Sequence, residues 1–202
     1  MIHPDSESPR SAMLPLRGRT ALVTGVSRRA GIGYAIARRL ATLGAGLYLH
    51  QHTAHDSRQP WGADPGGPRA VVDGVGASMA DEDAGLHHTE LDLALPDAPE
   101  QLVRAAVAAF GHVDILVCNH ARSGDDGPFG TLDAAMLDGH FAVNTRATIL
   151  LAQAFAAQHD GRPGGRIIFL TSGQDLGPMP GEVAYATSKG ALASITRTLA
   201  DH

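Results

Sequence analysis

The chain has 202 residues, 44% of them hydrophobic and 18% charged, enough for one domain with a sizeable core. Its formal net charge of −5 and lack of a basic cluster argue against nucleic acid or anionic membrane as a main partner, and no stretch approaches the ~18 apolar residues of a membrane helix. Cys118 is the single cysteine, which excludes an intrachain disulfide and fits a reducing, cytoplasmic setting.

Met1 to Arg17 carry Pro4, Asp5, Glu7, Pro9 and Pro15 without an apolar run. They read as a frayed tail rather than a secretory leader, with one domain expected over 18–202. Thr20 to Thr24 reads as a short strand ending in Gly25. From about Gly31 to Leu43, Ile32, Ile36, Leu40 and Leu43 fall at helical spacing and Gly44 stops the helix. Leu47 to Leu49 reads as a second strand. Gln51 to Pro68, rich in Gly and Pro, predicts a long loop, either mobile or functional. Arg69 to Asp83 is expected to be helical only in part, since Gly74 and Gly76 weaken it.

A third strand is predicted over Leu86 to Leu93, a helix over Pro96 to Phe110, and a fourth strand over Val113 to Val117. A long helix follows over Leu132 to Gln158, its pattern broken only by Gly139; then a fifth strand over Arg166 to Leu170 and a last helix over Ala184 to His202. Alternating βα units predict the α/β class: a Rossmann-type doubly wound parallel sheet with helices on both faces. The last helix has no Gly or Pro stop and no following strand, so a C-terminally truncated chain is expected.

Two local patterns carry chemistry. Thr24-Gly25-Val26-Ser27-Arg28-Arg29-Ala30-Gly31-Ile32-Gly33 follows a strand and opens a helix. Glycines there permit a tight turn and close approach of backbone to a pyrophosphate, whose charge meets the helix N-terminus. The second strand ends in His50-Gln51-His52, without the carboxylate that usually meets a bare ribose, whereas Arg28 and Arg29 could pair with a 2′-phosphate. NADP(H) is therefore favoured, with NAD(H) as the alternative. The other pattern is Tyr185-Ala186-Thr187-Ser188-Lys189, which holds the only lysine of the chain. Positions i and i+4 share a helix face, so the ammonium could lie beside the phenol and acidify it.

In these residues the chain resembles the short-chain dehydrogenase/reductase family, particularly its 3-oxoacyl-carrier-protein reductase-like members. The resemblance runs from about Gly18 to the C-terminus, although five residues rather than three separate the first two glycines of the turn. It implies cofactor contacts from Gly25, Ser27, Arg28, Gly31, Ile32, Gly33, Asp92, Leu93, Asn119, Ala121, Tyr185 and Lys189. Cys118-Asn119-His120-Ala121 stands where an Asn-Asn-Ala-Gly stretch is usual, so Cys118 and His120 are departures. It also implies a catalytic set of Asn144, Ser172, Tyr185 and Lys189. Ser172 and Tyr185 would converge on a carbonyl oxygen, Tyr185 would act as general acid or base, Lys189 would tune it and bind the nicotinamide ribose, and Asn144 would hold a relay water. The implied reaction interconverts a ketone or 3-oxoacyl group and a secondary alcohol, in a homodimer or homotetramer.

Relatives of this kind run some fifty residues longer, so the last strands of the family fold are expected to be missing and the fifth strand to form a sheet edge. Two alternatives stand beside carbonyl reduction: an enoyl-thioester reductase, suggested by the longer glycine turn, and a cofactor-binding fragment with little activity. The three-residue gap between Tyr185 and Lys189 favours carbonyl chemistry. No metal site is expected: His50, His52, His55, His87 and His88 read as polar loop residues. Cys118 reads as a small buried strand residue and Asp81-Glu82-Asp83 as a solvated charge run. Gln174, Met179 and Glu182, between Ser172 and Tyr185, are candidates for substrate contact.

Overall fold

The computed structural model describes residues 14–201. Strands β1 (Thr20–Val23), β2 (Gly46–Gln51), β3 (Leu86–Glu90), β4 (Ile115–Cys118) and β5 (Arg166–Phe169) form one parallel sheet in the order β3-β2-β1-β4-β5. Side chains alternate across it. Leu22, Tyr48, Leu116 and Cys118 face Leu102, Val103 and Ala106 of α4 (Ala98–Phe110) and Leu151 and Phe155 of α6 (Ala147–Gln158). Val23, Leu47, Leu49 and Val117 face Ala37 and Ala41 of α1 (Ile32–Thr42) and Val71 and Val75 of α3 (Gly67–Gly76). Every residue of β1, β2 and β4 is buried, which is why these strands read as continuous apolar runs. Each buried Leu or Val contributes about 1.5–3 kcal/mol of transfer free energy, so the three middle strands are the fixed frame on which the cavity is built.

The expected edge is present. β5 pairs only with β4 among the described residues, and Ile167 and Ile168 are 41% and 47% exposed. Among the described residues no helix is long and apolar enough to cross a membrane.

Several expectations are corrected. Residues 1–13 of the predicted tail lie outside the described residues, but Leu14 to Arg17 are packed: the Leu16 N–H donates to Leu43 O at 2.9 Å and its side chain rests on the core. The loop after β2 contains a helical turn, α2 (Thr53–Asp56). α3 is regular through Gly74, where a Cβ would collide with the Tyr34 hydroxyl, so close helix packing explains that glycine. The third strand ends at Glu90, leaving Asp92 and Leu93 just beyond it. Asp81 is not part of a solvated run; it is 6% exposed and pairs with Arg17 Nε at 3.1 Å.

The long helix is three consecutive pieces: α5 (Ala134–His140), a π-helical turn over Phe141–Arg146, and α6. Asp133 caps α5 by accepting from the Met136 N–H at 2.8 Å. π-turns recur at functional sites, and this one carries Asn144. The last helix, α7 (Val183–Ala200), packs on the π-turn and α5.

Candidate functional site

At the carboxyl edge of the sheet a cavity of about 330 Å³ opens between the β1–α1 turn and α7, where ligands of open α/β sheets bind. Gly25 sits at φ +71°, and a Cβ there would be 2.8 Å from His120 Cα. A Cβ on Gly33 would be 2.6 Å from both Gly25 O and Asn119 Nδ2. Asn119 uses that space, donating to Thr24 O at 2.9 Å and Gly25 O at 3.0 Å. The two glycines therefore let the turn press against the residues after β4, and Gly33 lies behind the cavity wall. Gly31 enters α1 in extended conformation and no side chain caps the helix, so the first N–H groups remain for an anion.

Ser27, Arg28, Gly31 and Ile32 line the turn side of the cavity; Asp92, Leu93, Asn119 and Ala121 line its floor, and Tyr185 and Lys189 its far wall. A helix N-terminus and a guanidinium at one end, with a carboxylate and a lysine further along, fit the phosphates and ribose hydroxyls of the expected dinucleotide. Of the two turn arginines only Arg28 faces it. Arg29 is bound to Asp64, with Nη2 2.7 Å from Oδ1 and its backbone N–H donating to Oδ2 at 2.8 Å. The Arg29 side-chain bonds lead in holding the Asp64 carboxyl down to about 2, against the effect of burial.

Lys189 is 2% exposed. Its Nζ donates to Leu170 O at 2.9 Å and lies 5.9 Å from the centroid of the Tyr185 ring. The ammonium thus sits over the ring of the phenol and ties α7 to the end of β5. Burial lowers it from 10.5 to about 8.

Asn144 and Ser172 do not line the cavity. Asn144 is fully buried; its Oδ1 accepts from the Arg122 N–H at 2.7 Å, while Nδ2 donates to Arg122 O at 3.1 Å and Ser188 Oγ at 2.9 Å. Both amide hydrogens have protein partners, so this side chain braces the β4 loop, π-turn and α7 where a relay water was expected. The Ser172 N–H donates to Gln174 Oε1 at 3.1 Å, and its hydroxyl makes no hydrogen bond among the described residues. Its neighbours Leu170 and Thr171 reach the cavity instead.

Sequence reading missed three features. Asp126, far from α7 in the chain, accepts from the Ala184 N–H at 3.0 Å and the Tyr185 N–H at 2.7 Å. It caps the helix that carries Tyr185 and Lys189 from a distance, and no local spacing announces it. Burial works to raise its carboxyl, yet the N–H donors of Tyr185, Gly127 and Ala184, with His140 nearby, carry it below the usual carboxylate range.

His50 and His120 are the second feature. His50 belongs to β2 and is 2% exposed, accepting from the Gly25 N–H at 3.2 Å, so it is not a polar loop residue. His120 is 6% exposed; its Nδ1 lies 2.7 Å from Thr24 Oγ1 and its Nε2 3.1 Å from Val143 O, linking the glycine turn to the π-turn. Burial pushes both imidazoles down, His50 to about 4 and His120 to about 3. The departure of His120 from the usual Asn-Asn-Ala-Gly stretch was the available signal. Cys118 is 1% exposed, as expected, and burial pushes its thiol up. The third feature is the α2 carboxylate of Asp56, which lines the cavity beside Arg28.

The family model described as enoyl-(acyl carrier protein) reductase matches residues 25–202. The uncharacterized oxidoreductase YjdA of Bacillus subtilis is 36% identical over 183 residues, covering 90% of this chain and 67% of that protein. A short-chain dehydrogenase/reductase from Serratia marcescens is similar in structure, with a TM-score of 0.77, 34% identity and coverage of 93% of this chain and 69% of that one. A 3-oxoacyl-(acyl-carrier-protein) reductase from Agrobacterium tumefaciens, solved with NADP bound, has a TM-score of 0.77 and 32% identity, covering 94% of this chain and 66% of that one. The chain spans between 61% and 67% of the length of the curated relatives it matches.

Proposed function

The chain belongs to the short-chain dehydrogenase/reductase family, and on that premise we propose that it is an NADP(H)-dependent oxidoreductase interconverting a carbonyl group and a secondary alcohol. The observation that carries this reading is the pairing, on one face of α7, of Tyr185 with a buried Lys189, both lining the cavity that starts at the glycine turn. NADP(H) is favoured because Arg28 faces that cavity, because β2 ends without a carboxylate, and because the Agrobacterium reductase binds NADP.

When bound, the nicotinamide supplies or accepts the hydride. The α1 N-terminus would hold the pyrophosphate and Arg28 the 2′-phosphate. Asp92 and Asn119, on the same cavity wall, would hold the rest of the dinucleotide. Lys189, over the Tyr185 ring, holds positive charge beside the phenol, and Tyr185 donates its proton to the developing alkoxide in reduction and takes it back in oxidation. Ser172, whose hydroxyl makes no hydrogen bond among the described residues, would be the second donor to that oxygen. Lys189, Asn144 and Ser188 keep α7 in register for this.

The finer reading is a ketone or 3-oxoacyl substrate. An enoyl-thioester reductase is the second reading, favoured by the description of the matching family model; the short Tyr185–Lys189 gap speaks for the first. Cytoplasmic location and pairing of copies through the helices that carry Asn144 and Tyr185 belong to the same proposal. The test is NADPH oxidation against ketones, 3-oxoacyl thioesters and 2-enoyl thioesters. Tyr185→Phe should lose about 10²–10⁴-fold in turnover while keeping NADPH affinity within a few fold. Equal loss of both would remove Tyr185 from proton transfer, and turnover confined to enoyl thioesters would select the second reading.

A further inference from the structure

The segment between β2 and α3 brings an assembly to the glycine-turn side of the cavity. Arg28 Nε donates to Asp56 Oδ1 at 2.9 Å, and the same oxygen accepts from Trp61 Nε1 at 2.9 Å. The guanidinium carbon of Arg28 lies 5.4 Å from the centroid of the Trp61 ring. All three side chains line the cavity. One carboxylate oxygen, on a residue only 9% exposed, therefore fixes the guanidinium and the indole together, so neither plane rotates without the other.

Two details give this arrangement a direction. The bond to Asp56 uses Nε, and the terminal nitrogens of Arg28 make no hydrogen bond among the described residues. A guanidinium tied at Nε with its terminal nitrogens free is oriented to bind a phosphate. Trp61 is 46% exposed; a large ring is held over Arg28 by one hydrogen bond and a cation–π contact instead of being packed into the core. The negative charge of Asp56 is shared between two donors, and Arg58, His52 and His55 line the same wall.

Resting on the dinucleotide reading above, we propose that Asp56 and Trp61 are positioning residues that hold the terminal nitrogens of Arg28 toward the 2′-phosphate of NADP(H). Preference for the phosphorylated cofactor then resides in a three-residue assembly, two members of which come from the loop after β2.

Trp61 is the only tryptophan of the chain, so its emission reports on the assembly without labelling. The experiment titrates adenosine 2′,5′-bisphosphate and 5′-AMP into the 202-residue protein, following Trp61 emission and heat of binding. The bisphosphate should bind about tenfold or more tightly than AMP, the scale of one charge-assisted contact, and should shift the emission, whereas AMP leaves it nearly unchanged. Asp56→Ala should cut the discrimination to about threefold or less with AMP affinity unchanged, and Asp56→Asn, which keeps an acceptor, should restore most of it. Trp61→Phe, read by heat alone, should fall between. AMP binding by each variant doubles as the check that it is folded. Equal wild-type affinity for the two nucleotides, or an Asp56→Ala protein that binds the bisphosphate as well as before, would overturn the proposal and leave the enzyme reading standing. Binding of neither nucleotide would overturn the dinucleotide reading and this proposal with it.

Discussion

At the phosphate end of the cavity, position is set by main chain. Gly25 and Gly33 allow contacts that no side chain could share, and the turn rests on strands buried on both faces. At the chemical end it is set by single polar side chains: Lys189 on Leu170 O, Asn144 on Arg122 and Ser188, and Asp126 on the N–H groups of Ala184 and Tyr185. That end also borders the sheet edge at β5, with its exposed isoleucines. A site braced by backbone tolerates side-chain exchange around it. A site braced by a few hydrogen bonds loses geometry with each one, because misplacement of reacting groups by even 1 Å is costly.

Replacing Lys189 tests the contrast most severely. Lys189→Met should lose about 10²-fold or more in turnover. In the wild-type protein the ammonium, lowered from 10.5 to about 8, gives up its proton as pH rises through 8, so kcat/KM should fall on that alkaline side. Stability should move the other way. Between pH 8 and 10.5 the unfolded chain binds more protons than the folded one, so this residue makes stability rise with pH there. An activity profile flat from pH 7 to 10 would remove the cation from the mechanism.

A smaller effect is expected from the remote cap. Asp126→Ala should cost about 1 kcal/mol of stability and roughly tenfold in kcat, by loosening the first turn of α7. Asp126→Asn keeps an acceptor and should recover most of the rate. Loss of stability with kcat intact would make Asp126 a support for the fold alone.

The smallest change should come from the phosphate end. Asp64→Asn should leave kcat within about twofold and cost about 1 kcal/mol at neutral pH, since Arg29 is 46% exposed and the pair is partly screened. The folded-state value of Asp64 is depressed, so its contribution is complete above 3.8 and is lost as pH falls toward about 2. Thermal melts of the two proteins should therefore converge over that window. A constant gap down to pH 2 would assign the effect to packing.

The sheet and most helices were legible because period-2 and period-3.6 patterns report burial directly, and eight of the twelve cofactor residues named from sequence lie on turns or just past strand ends that such patterns locate. Gly33 and Arg29 show the next level: their chemistry was plain, but their direction depends on packing. Asn144 sits in a π-turn that helical periodicity smooths over, so its burial could not be read. Asp126 and Asp56 act on residues distant in the chain, and Ser172 lies in a loop whose direction no periodicity encodes. What stayed hidden was orientation and long-range partnership.

The widened turn at Phe141–Arg146 makes this brace sensitive to chain length as well as to composition. Removing a single residue there would let α5 and α6 merge into one regular helix and swing everything on one side by about 100°, carrying Asn144 off both of its partners while leaving every site side chain intact. An insertion or deletion at that spot is thus a natural dial for weakening the site without touching its chemistry.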